Sequence, residues 1–180
     1  MYGLKDNVAR KAGTMGKEEN KEMEFWTQEE FQAFLECVAD KPISYYAFEI
    51  LYWTGIREGE LLALTPGDFN FEKKTLRINK SYQRLEGKDV ITDLKTPKSN
   101  RTIVMPDFLT IEMEDFKKSI YGIKMDDRIF TISKSYLHHE MDRGAKLAGV
   151  KRIRIHGLRH SHISLLINLG FSALAIGERV

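Results

Sequence analysis

The sequence predicts an α+β domain, mainly helical, with one small three-stranded antiparallel sheet. Three observations lead there. Apolar residues recur at helical spacing in both the first and the last thirds of the chain. Between residues 75 and 105 the period switches to two. Glycine and proline punctuate the changes, as they do where elements end.

The elements follow in order. Residues 1–24 show little apolar periodicity and carry the run Gly13-Thr14-Met15-Gly16, so they read as a linker and the tail of a preceding domain. Folded structure is expected from residue 25 to residue 180. Thr27 followed by Glu30 matches a capping box, in which each side chain satisfies the other residue's backbone N–H, and Phe31, Phe34, Leu35 and Val38 then line one helical face. A second helix is expected from Pro42 to Tyr52, with proline in its first turn and Thr54-Gly55 as its break. A third should run from Glu58 to Leu64 and stop at Pro66-Gly67. Strands are expected from Thr75 through Arg84, from Val90 to Leu94 and from Arg101 to Met105, with a turn at Gly87-Lys88-Asp89. Helical spacing returns from Asp107 to Tyr121. Ser133 or Ser135 can cap a helix reaching Ala148, with Gly149 as its stop. A last strong run spans Gly157 to Leu169 and ends at Gly170, and Ser172 can cap one more helix.

Composition narrows the function classes. The chain has 180 residues, and no apolar run in it approaches the about 20 needed to cross a bilayer. A single cysteine, Cys37, excludes an internal disulfide framework and a multi-cysteine zinc site, and makes a reducing, cytoplasmic location the expectation. The net charge of +2 is uninformative, but its distribution is not. Residues 17–36 hold seven Glu and two Lys, whereas residues 73–101 hold nine Lys or Arg against Glu86, Asp89 and Asp93. From Arg143 to Gly177 there are six Lys or Arg and no acid. A chain polarised in this way can bind a polyanion despite a nearly neutral total. The competing reading is that the lysine-rich stretches are ordinary solvated faces.

Three clusters carry side chains capable of chemistry. Arg57 follows a glycine turn and opens a helix, so its guanidinium and the helix-start amides can face one anion. Glu60 lies three residues on, on the same face; the plainer reading is a local surface ion pair. His156 and Arg159 sit at another helix start, with Arg154 just before and His160 and His162 just after. An anion fits between an imidazole and a guanidinium placed there. A metal site on the histidines is the alternative, opposed by the neighbouring arginines and by the lack of a carboxylate ligand in the cluster. Lys95 lies between two strands with Lys98 three residues further on, and either can swing toward a ligand.

In combination the clusters are more specific. TGIREGELLAL from Thr54, LKTPKSNRTIVMP from Leu94 and IHGLRHSHISLLINLG from Ile155, in that order and separation, resemble the tyrosine recombinase family, and among its members the integrases of Gram-positive phages and conjugative transposons. The resemblance covers the chain from Phe25 to Val180. It implies a mainly helical catalytic domain with a small sheet, as the periodicity does. It also implies site-specific DNA recombination or integration through a 3′-phosphotyrosine intermediate, on double-stranded DNA, with no cofactor and no metal. By position it makes Arg57 and Arg159 the catalytic arginines and Glu60 the acid supporting the first. Lys95 becomes the lysine that protonates the departing 5′ oxygen, with Lys98 as its competitor, and His156 the histidine that assists proton transfer. Lys98, Arg101 and Arg154 are expected to contact DNA. Two guanidiniums can neutralise the charge that builds on phosphate oxygens without a metal.

The departures from the family pattern set further expectations. Where the family commonly has His-Asp-Leu-Arg, Gly157 replaces the aspartate, which removes a possible helix cap at a cost of about 1 kcal/mol or less. The family's nucleophilic tyrosine follows the last segment, whereas the last tyrosine here is Tyr136. The 180 residues are therefore expected to bind DNA without cleaving it and to be monomeric in isolation. In a full-length parent the resemblance implies four protomers in a synaptic complex on bacterial DNA. A non-catalytic DNA-binding module and a metal-dependent hydrolase remain the alternatives.

Overall fold

The computed structural model describes residues 23–94 and 99–180. Residues 1–22, Lys95 and Lys98 lie outside the described residues, so the expectations for a preceding tail and for the hairpin lysine fall there too.

The first helix, α1 (Gln28–Val38), starts at the capping box that the sequence predicts. Thr27 Oγ1 accepts the Glu30 N–H at 3.3 Å, and Glu30 Oε2 accepts the Thr27 N–H at 2.9 Å. Its buried face is Phe31, Phe34, Leu35 and Val38. The residues just ahead of it are also tied down, because Trp26 donates its backbone N–H to Ser161 Oγ and its indole N–H to the Lys151 carbonyl, at 2.8 and 2.7 Å. Helix α2 (Pro42–Thr54) is apolar on most sides and runs through the core, with Ala47, Phe48, Ile50, Leu51 and Tyr52 all buried. Phe31 stacks on Tyr52 at 3.8 Å between ring centroids, which ties α1 to α2.

Gly55 ends α2 at φ 66°, a left-handed position that glycine takes without strain. The turn delivers α3 (Glu58–Leu61), shorter than the periodicity suggests. Ala63 and Leu64 bond to carbonyls three residues back rather than four, so the helix tightens into turns before Pro66. A single 3-10 turn, Pro66–Asp68, leads into the sheet.

The sheet is three-stranded and antiparallel, but its membership differs from the sequence expectation. Its order is β1 (Phe69–Asn70), β2 (Thr75–Ile78), β5 (Arg101–Val104). The long expected strand splits at Asn79, and its second half, β3 (Lys80–Leu85), pairs with β4 (Lys88–Asp93) as a separate hairpin. Two residues of β1 are too few to show a period, which is why that strand is invisible in the sequence. The hairpin turns at Glu86 and Gly87, both at positive φ, which matches the twist that a two-residue connection needs.

Helix α4 (Asp107–Ser119) packs on α2. Helix α5 (Lys134–Ala148) is capped by Ser133 rather than Ser135 and closed by Gly149 at φ 67°. It lies on α1 so closely that a Cβ at Gly144 would stand 2.5 Å from Phe34 Cε2. Helix α6 (Gly157–Asn168) packs on α2. The short α7 (Ala173–Arg179), capped by Ser172, returns toward β5. Among the described residues no helix is long and apolar enough to cross a membrane.

Candidate active site

Arg57, 53 % exposed at its side chain, begins α3 directly after the Gly55 turn. Glu60, one turn on, is 1 % exposed and lies beneath it. The carboxylate holds Arg57 twice, accepting the backbone N–H at Oε2 (2.9 Å) and Nη1 at Oε1 (3.1 Å). The pairing read from the sequence is therefore present, but it is an anchored pair rather than a surface one.

Glu60 is shared. Arg101, at the start of β5, makes a bidentate pair with it, Nη1 to Oε1 at 3.2 Å and Nη2 to Oε2 at 2.8 Å. Arg101 is 7 % exposed at its side chain, and its Nε donates to the Arg179 carbonyl at 2.9 Å. Burial works to raise the Glu60 pKa. Hydrogen bonds from Arg101 and from Arg57 outweigh it and hold the carboxyl below its ordinary value.

Arg159 enters from the first turn of α6 and donates Nη1 to the Gly55 carbonyl at 2.8 Å, so the same turn that aims Arg57 also seats the second arginine. Burial, then the charges of Arg57 and Arg101, bring the Arg159 pKa down to about 10, against a raising pull from Glu60. It stays cationic at neutral pH. Three guanidiniums thus surround one carboxylate, and the excess positive charge is what an anion would neutralise.

His156 occupies the residue before α6, exposed, with its ring perpendicular to that of His160 at 5.0 Å. Burial, then His160, Arg159 and Arg57, push its pKa below the ordinary histidine value, so at neutral pH the ring is uncharged and can both donate and accept. No side chain caps α6. Gly157 lies where a Cβ would come within 3.0 Å of the Glu24 carbonyl, so an aspartate at this position would press on the incoming chain.

Arg57, Arg154 and His156 border an open groove of about 690 Å³ between the β3–β4 hairpin and the start of α5, with Arg84 on one wall and Lys134 on the other. The hairpin can lie this close to α3 because residue 59 is glycine; a Cβ there would be 2.5 Å from Ser81 Oγ. A second clip holds the hairpin. Tyr82 donates to Asp89 (2.7 Å), Arg128 donates to the same carboxylate (3.1 Å), and the guanidinium sits 4.4 Å over the Tyr82 ring.

His162, which could extend a metal set with His156 and His160, is 2 % exposed and turned into the core. Its Nε2 accepts from Arg179 Nε at 2.9 Å, which places the ring proton on Nδ1, facing the Tyr52 backbone without a well-formed hydrogen bond. A nitrogen engaged by a guanidinium is not available to a metal. Among the described residues no group of three or more His, Cys, Asp or Glu is placed to hold an ion.

The structure thus brings together Arg57, Glu60, His156 and Arg159, with Arg154 at the groove margin and Arg101 beneath. Sequence reasoning missed the shared carboxylate, the Gly55 carbonyl and Arg179. Their partners lie far away in the chain, and no local spacing announces them.

Comparison with known proteins supplies a frame for this arrangement. The model of the phage integrase family matches residues 24–179. The ICEBs1 integrase of Bacillus subtilis (strain 168) is 30 % identical over 189 residues, covering 97 % of this chain and 50 % of that protein. The integrase of a Staphylococcus phage is 32 % identical over 151 residues, covering 74 % of this chain and 43 % of that one. The chain spans about half the length of the curated relatives that it matches. Among solved structures, the Tn1549 transposon integrase in complex with circular intermediate DNA superposes with a TM-score of 0.71 at 22 % identity, over 88 % of this chain and 60 % of that one. The XerH site-specific recombinase bound to its difH substrate gives 0.64 at 22 %, over 87 % and 46 %. At that identity the two structures bear on the fold alone.

Proposed function

The chain belongs to the phage integrase family, and from that membership we propose that Arg57, Arg159 and His156 bind and activate a DNA phosphodiester for strand transfer. The observation that carries the reading is the convergence of Arg57 and Arg159 around the Gly55 turn, with one carboxylate, Glu60, against three guanidiniums. Of these, Arg57 lines an open groove whose walls also carry His156, Arg154, Arg84 and Lys134 against one carboxylate, Glu58.

The chemistry follows from charge. When an oxygen nucleophile attacks phosphorus, negative charge grows on the non-bridging oxygens, and preorganised guanidiniums stabilise it more in the transition state than in the ground state. His156, uncharged near neutrality, can donate to a phosphate oxygen or pass a proton. The departing 5′ oxygen needs a proton as its bond to phosphorus breaks, and Lys95, or Lys98 beside it, is the proposed donor. In the whole protein the nucleophile is a tyrosine, the intermediate a 3′-phosphotyrosine, and the outcome site-specific recombination or integration in a bacterial cell. The 180 residues themselves are proposed to bind duplex DNA and to form no covalent adduct. The tyrosine that shares the groove, Tyr82, donates its hydroxyl to Asp89, and burial raises the hydroxyl pKa of Tyr52, which lies within the core.

Fluorescence anisotropy on a labelled duplex tests this. Affinity should fall steeply with salt, with each lost phosphate contact lowering the logarithmic slope by about 0.9. Arg57→Ala and Arg159→Ala should each weaken binding about tenfold or more. Binding that is indifferent to both variants would refute the assignment, and a covalent adduct on a nicked substrate would refute the proposed lack of a nucleophile.

A further inference from the structure

We propose that Arg101 is a positioning residue for Arg57, acting through Glu60 rather than by touching DNA; the inference rests on the phosphate-binding reading above. Every nitrogen of its guanidinium already has a partner. Nη1 and Nη2 fork onto the two Glu60 oxygens, Nη1 also reaches the Ser99 carbonyl at 3.3 Å, and Nε reaches the Arg179 carbonyl. Only 7 % of the side chain is exposed, so offering two N–H groups to a phosphate would mean breaking a buried charge pair, which is strongly unfavourable.

The arrangement does two things for Arg57. Each Glu60 oxygen accepts one bond from Arg101 and one from Arg57, so Arg101 fixes the plane of the carboxylate and with it the backbone N–H and Nη1 of Arg57. Arg101 also neutralises Glu60. Without that second cation the buried carboxylate would have Arg57 as its sole ion-pair partner among the described residues, and would hold the guanidinium to itself. With it, Arg57 keeps its charge for a ligand while half of its side chain faces the groove. The same arginine reaches the last turn of α7 through the Arg179 carbonyl, which ties that helix to the carboxylate that aims Arg57.

Arg101→Lys separates the possibilities because it conserves charge but cannot form the fork. Duplex affinity of the 180-residue chain should fall about tenfold at 100 mM salt. The logarithmic salt slope should drop by about 0.9, the signature of one lost phosphate contact, although net charge is unchanged. In the Arg101→Lys background, Arg57→Ala should cost less than about twofold, because the arginine is already misplaced. Arg101→Gln, which loses both the fork and the second cation, should give both effects at least as strongly and covers the case in which Arg101→Lys does not fold. An unchanged slope, or Arg57→Ala costs that multiply with those of both variants, would overturn the proposal and leave Arg101 a merely structural residue. If Arg57→Ala has no effect in the native background, the DNA reading itself falls and the proposal with it.

Discussion

Glu49 provides a test of the core that is independent of the groove. It lies on α2, 4 % exposed, with Oε2 lacking any hydrogen-bond partner. Burial, then the charge of Glu112 across from it on α4, raises its pKa from 4.5 to about 8, with a hydrogen bond from Trp53 pulling the other way. The folded protein therefore binds a proton that the unfolded chain releases between those two values. The contribution is fully present below pH 4.5 and is lost as pH rises through 8. At about 1.4 kcal/mol per pH unit of difference, the protein at pH 7 has given up roughly 3 kcal/mol relative to acid conditions through this group. Glu49→Gln keeps the shape and removes the titration. The variant should match the native chain near pH 5 and exceed it by roughly 2–4 kcal/mol at pH 8 to 9. Urea unfolding followed by circular dichroism at pH 5, 7 and 9 measures the difference. A gap between the two proteins that does not change with pH would refute the reasoning, since it would mean that Glu49 titrates alike in both states.

Other sites give sharper structural tests. His162, held neutral by burial and by Arg179 with its pKa brought down to about 3, should make the fold acid-sensitive, with stability lost as pH falls from 6.5 toward 3; His162→Gln should flatten that limb in the same urea series. Gly144→Ala should destabilise by about 1–3 kcal/mol, because the new Cβ would meet Phe34 at 2.5 Å and Val38 at 2.7 Å in a packed helix pair, while DNA affinity of the folded fraction stays native in anisotropy titrations. Gly59→Ala should push the hairpin off α3 and weaken DNA binding, and Ser81→Gly in the same chain should restore part of it; a double variant no better than the single one would contradict the contact as the cause.

The helices were largely legible because their signals are local. The Thr27–Glu30 box, the stop at Gly149 and the caps at Ser133 and Ser172 are each written within a few residues. The sheet was legible only in outline. Asn79 divides one alternating run between two ladders, and nothing in the run itself marks the division. In the site, His156 and Arg159 were readable because they lie three positions apart at one helix start. For Arg101 the sequence carries the expectation of a DNA contact and no sign of burial. Its burial depends on Glu60, 41 residues upstream, and on the Arg179 carbonyl, 78 residues downstream. A sequence pattern of short range cannot carry that information.

The arginine cluster also carries an electrostatic cost. Burial, with repulsion from Arg57 and Arg101 added to it, depresses the Arg159 pKa to about 10, and a cation with a lowered pKa opposes folding at every pH below that value. A core selected for stability alone would replace one of the three arginines or supply a second carboxylate. Here the acid that bonds them is buried and doubly bonded to each of two arginines, while the third, Arg159, donates Nη1 to the Gly55 carbonyl. An anion arriving from the groove would offset that excess. Burial alone also shifts Glu49 and His162; what sets this cluster apart is that like charges meet there, the pattern expected of an anion site.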